Sequence, residues 1–99
     1  MNTDILREQR VRIDELDEQL ICLLAERFEI TKTVGELKAK AGLPAADPKG
    51  EKEQIARLHE IARREGMDPV FGEKVFRLIV DEVIRHHLQT ADEHGDLEA

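Results

Sequence analysis

Large aromatic side chains are nearly absent: the 99 residues include three Phe and no Trp or Tyr. The core must therefore be built from Leu, Ile, Val and Ala, which with the abundant Glu, Lys and Arg is the mix that suits helices. Cysteine is limited to Cys22, which excludes a disulfide framework or a four-ligand metal site within one chain. Cys22 falls on an apolar stretch and is expected to be a small core residue. No run approaches the ~18 apolar residues of a membrane span. "MNTDILREQR" has no apolar stretch of the secretory kind, so a cytoplasmic protein away from membranes is expected. Net positive charge is also missing. At −7, the chain offers no counterion-releasing surface, which argues against a nucleic-acid partner. An anionic ligand would need a locally positive pocket. Strand alternation, repeats and low-complexity stretches are not found. Neither is a Ser-His-Asp set, an HExxH motif or a Gly-rich phosphate loop, so no cofactor or metal is expected.

What is present is helical periodicity. Between Asp4 and about Ala41 there is no proline, and Gly35 is the only glycine. Ile13, Leu16, Leu20, Leu23, Ile30, Val34 and Leu37 recur in steps of three and four, as in a coiled-coil seam. A helix of that span is about 57 Å long. A single-domain chain of this size has a radius of gyration of about 13 Å. The seam therefore calls for a second copy, most simply in a two-fold dimer.

Gly42 and Pro44 end this helix. Asp47-Pro48 then reads as an N-cap followed by proline in the first turn. The second helix runs to about Glu65, with Glu51, Ile55, Leu58 and Ala62 on its inward face. Gly50, in its first turn, leaves that position bare. Gly66 ends it, and Asp68-Pro69 repeats the start signal. A third helix runs to about Gln89, with Phe76, Ile79, Val83 and His87 or His86 inward. The expected fold is all-α: long, short and medium helices in one domain, residues 1–99, with a core of about 6–90 and a polar, frayed tail over 91–99.

One seam position holds a cation, Arg27. Lys38 lies eleven residues on, about 20° past three full turns, so both share a face about 16 Å apart. They can converge on one small anion. Alternatively, Arg27 snorkels or pairs with Glu26 or Glu51. Arg10 is about 100° off that face, but in an antiparallel dimer it can reach its neighbour's pocket; otherwise it is a surface residue. Asp47 is at least a cap, while Glu51 heads an apolar stripe. Adjacent His86 and His87 point about 100° apart, which is not a two-ligand metal face. His59 and His94 read as surface residues.

"RVRIDELDEQLICLLAERFEITKTVGELKAK", "AADPKGEKEQI" and "FRLIVDEVIRHH" together resemble the all-helical chorismate mutases over about residues 6 to 90. The resemblance implies an intertwined homodimer with an antiparallel long-helix pair that rearranges dianionic chorismate to prephenate in the shikimate pathway. By position, Arg27 and the partner's Arg10 would grip the substrate carboxylates. Lys38 would donate to the ether oxygen, and Glu51, with Asp47 nearby, would hold the ring hydroxyl. Three positions depart from the family pattern. His87 stands where a glutamine commonly gives a second ether-oxygen donor. Val83 replaces a small hydroxylated residue that often helps hold a carboxylate, and Gly50 replaces a frequent basic residue. Both losses imply weaker substrate binding. Two other readings share the resemblance: an isochorismate pyruvate-lyase, and a non-catalytic dimer serving another shikimate-pathway enzyme. The aspartate–glutamate pair favours the mutase over the lyase, and the retained cations argue against a scaffold.

Overall fold

A computed structural model describes the backbone of residues 2–98 and the side chains of residues 2–89. Its elements are three helices: α1 (Asn2–Lys40), α2 (Pro48–Arg64) and α3 (Pro69–Glu98). The chain divides into two units, residues 1–31 and 32–99.

The first unit is the greater part of α1. Every residue from 2 to 23 is exposed, the apolar ones included. Ile13, Leu16, Leu20 and Leu23 of the expected seam keep about half or more of their surface. Cys22 is exposed too, which corrects the expectation of a core position. Periodicity identifies an apolar stripe but does not say whether the same chain covers it, and here it does not. Arg12 pairs with Glu15 one turn on at 3.1 Å, a solvated contact of small energetic weight.

The second unit holds the last turns of α1 together with α2 and α3. Both helix–loop junctions use the same device. After α1, Leu43 N–H donates to the Lys38 carbonyl (2.8 Å) and Gly42 N–H to that of Ala39 (3.2 Å). After α2, Met67 N–H donates to Ala62 (2.7 Å) and Gly66 N–H to Arg63 (3.2 Å). Gly42 and Gly66 supply the left-handed residue that this closure requires, at φ 70° and 74°. The starts match as well. Asp47 Oδ1 accepts from Gly50 N–H at 3.2 Å, and Asp68 Oδ1 accepts from Val70 N–H at 2.9 Å.

Helices α2 and α3 pack as an antiparallel hairpin. Glu51 meets Arg77, His59 meets Glu73, and Ala62 lies against Gly72, so the partner numbers on the two helices run in opposite directions. Among the described residues, the buried apolar side chains are Phe76 and Ala62, at 2% and 5% exposure. Ile55, Leu58, Ile79 and Val83 are half-buried around them, on the faces expected. His59 departs from its expected surface role. It is half-buried, with Nε2 3.2 Å from a Glu73 oxygen, and so bridges the two helices. Helix α3 also continues to Glu98, past the expected end near Gln89, so the backbone of the polar tail is helical. The side chains of 90–98, His94 among them, lie outside the described residues.

Candidate active site

The candidate residues fall in both units. Arg10 and Arg27 belong to the first, and Lys38, Asp47, Glu51, Val83 and His87 to the second. Arg10 is exposed. Arg27 is half-buried and engaged with a neighbour.

Of the candidates in the second unit, His87 is the most enclosed. This imidazole is 5% exposed, the only buried polar side chain among the described residues. Its Nδ1 lies 3.4 Å from the Ala45 carbonyl oxygen in the α1–α2 loop. A carbonyl can only accept, so Nδ1 donates here in the tautomer that carries its proton. The opposite edge of the ring lies on Gly35 of α1, with Cδ2 and Nε2 closest. Lys38, half-buried, is three residues beyond Gly35 and therefore on the same side of α1. Val83, one turn before His87 on α3, is half-buried on the same stripe and brings no polar atom.

His86 turns elsewhere. Its Nε2 sits 2.9 Å from Glu82 Oε1, and Arg85 pairs with the same oxygen. The hydrogen bond from Arg85 holds the Glu82 carboxyl below its usual range, and the same bond raises Arg85. With His86 held by Glu82, the inward position at the end of the stripe belongs to His87.

Glu51 is half-buried at the head of α2, and an oxygen lies 3.4 Å from Arg77 Nη1 of α3. Asp47, expected beside it, is exposed and caps α2. A Cβ on Gly50 would fall 2.5 Å from Asp47 Oδ2, so the bare glycine lets the carboxylate fold over the helix end. Asp47 is thus first a helix cap, and its backbone carbonyl accepts from Glu51 N–H at 2.9 Å.

Two contributors were not anticipated. Arg77 gave no local signal, because its link to Glu51 joins two helices. Gly35 was visible as the one glycine of α1, but its partner was not. No group of three or more His, Cys, Asp or Glu that could hold a metal occurs among the described residues. Among these residues no helix is long and apolar enough to cross a membrane.

These observations define an all-α protein whose cations, carboxylate and imidazole are displayed from helix faces. The profile of chorismate mutase type II matches residues 9–88. The chorismate mutase of Methanocaldococcus jannaschii is 34% identical over 76 residues, 77% of this chain and 77% of that protein. The bifunctional chorismate mutase/prephenate dehydratase of Aquifex aeolicus is 35% identical over 79 residues, 80% of this chain and 22% of that protein. That of Escherichia coli is 29% identical over 93 residues, 87% of this chain and 24% of the longer protein. The chain thus spans about three quarters of the archaeal relative and under a quarter of the bifunctional ones. The chain belongs to the chorismate mutase type II family. Its activity is chorismate mutase, an isomerase reaction of aromatic amino acid biosynthesis.

Proposed function

We propose that two copies of this chain assemble along α1 and rearrange chorismate to prephenate in pockets to which both contribute. The rearrangement breaks the ether C–O bond and forms a C–C bond within one molecule. It moves no proton and needs no nucleophile. The protein has to hold the substrate in a chair-like, reactive shape and place fixed donors where negative charge grows on the ether oxygen.

Each candidate has a part in that task. Arg27 and the partner's Arg10 hold the two carboxylates. Lys38 and His87 donate to the ether oxygen. Glu51 accepts from the ring hydroxyl, steadied by the Asp47 cap and by Arg77. Val83 and Gly50 offer the substrate no polar group, so its carboxylates rest on the arginines alone. The exposed apolar seam of residues 2–23 supports the assembly, since a second copy can cover what this chain leaves bare.

The observation that carries the reading is His87, a buried imidazole seated on α1 one turn from Lys38. Nothing about hairpin packing calls for a titratable ring there, whereas a second donor to the ether oxygen does. The test is to incubate the purified chain with chorismate and, separately, with isochorismate. Prephenate from the first and no salicylate from the second is the expected result. Absence of prephenate would overturn the reading.

A further inference from the structure

Gly35 is the one buried residue of α1. A Cβ built on it would lie 2.2 Å from His87 Cδ2, 2.8 Å from Nε2 and 3.0 Å from Cγ. Ordinary contact begins near 3.4 Å, so no side chain fits there while the imidazole keeps its place. The obstacle is that ring alone, because Gly35 is not among the residues with positive φ. On helix propensity by itself, alanine would suit this position better than glycine. The imidazole is therefore held from two sides. The bare Cα of α1 meets its Cδ2–Nε2 edge, and the Ala45 carbonyl takes Nδ1.

We propose that Gly35 is a positioning residue. By omitting a side chain it lets the His87 ring lie directly on α1, and so fixes the imidazole beside the Lys38 ammonium, three residues further along the same helix face. This rests on the reading of Lys38 and His87 as donors to one oxygen. It adds that the gap between them is set by the absence of an atom. A glycine that merely allowed close helix packing would act through the whole contact. The positioning role acts through one side chain, and that difference can be measured.

The experiment is a cycle of four proteins: wild type, Gly35→Ala, His87→Ala and the double variant. Gly35→Ala should lower kcat at least about tenfold, toward the loss that removing one preorganised donor brings. KM should stay within about twofold, since the carboxylate grips are untouched. In the His87→Ala background the same change should alter kcat less than about twofold and raise Tm, because the clash is gone and the helix gains a better former. Should Gly35→Ala fail to fold alone, restored folding in the double variant supports the same conclusion. A readout independent of turnover is the nuclear Overhauser contact between Gly35 Hα and His87 Hδ2 in the wild type, which Gly35→Ala should abolish. Equal kcat losses in both backgrounds, a double variant that does not fold, or a missing wild-type Overhauser contact would each overturn the proposal. If the wild type leaves chorismate unchanged, the proposed function falls. The Overhauser and melting measurements would still decide whether Gly35 places the ring.

Discussion

Lys38 sits in the last turn of α1, and in the proposed reaction its ammonium is the charged donor to the ether oxygen. Lys38→Ala should lower kcat about 10²–10³-fold, equivalent to roughly 3–4 kcal/mol of transition-state stabilisation. Steady-state kinetics with chorismate checks this, and a variant that keeps most of the wild-type rate would remove Lys38 from the mechanism. His87 gives a prediction of different form. His87→Gln keeps an N–H donor at this position and should retain much of the rate, whereas His87→Ala removes the donor and should lower kcat about 10²–10³-fold. Equal losses in the two variants, read by steady-state kinetics, would exclude His87 as the donor.

The two helix–loop junctions carry their own stop and start signals, and these make one prediction of stability. Asp47 closes the start of α2 through Gly50 N–H. Asp47→Ala should destabilise the protein by about 0.5–2 kcal/mol in urea melts, whereas Asp47→Asn, an equally good cap, should change little. Such signals explain how much of the fold was legible in the sequence. Caps, glycine closures and prolines act within a few residues, so α1, α2 and the start of α3 could be read directly. The end of α3 could not, because "TADEHGDLE" has no apolar period to follow. The inward stripes of α2 and α3 were legible through Ala62, Phe76 and His87, because burial repeats with the helix turn. Cys22 was misread for the complementary reason, since a stripe does not name what covers it. The pairings Gly35–His87 and Glu51–Arg77 join residues far apart in the chain, and spacing along one helix holds no trace of them.

At the scale of the whole molecule, the proposal that Arg10 crosses to the other copy has a direct test. Arg10→Ala and Lys38→Ala should each be nearly inactive alone. Mixed in equal amounts under conditions that exchange subunits, half the dimers become hybrids. Each hybrid holds one pocket with both groups intact and one with neither. Activity should return to about a quarter of the wild-type value, read by kinetics after mixing. If Arg10 served its own chain, every pocket would lack one group and nothing would return.

Residues 2–23, bare on every side within a single chain, set a further condition on the protein's existence. A newly made copy carries its longest helix as an unfinished surface, apolar along one flank and attractive to any greasy neighbour. In the proposed assembly a second copy supplies the matching flank. How much enzyme a cell holds would then govern more than how fast chorismate is used; it would govern whether each molecule meets its counterpart before something else sticks to it.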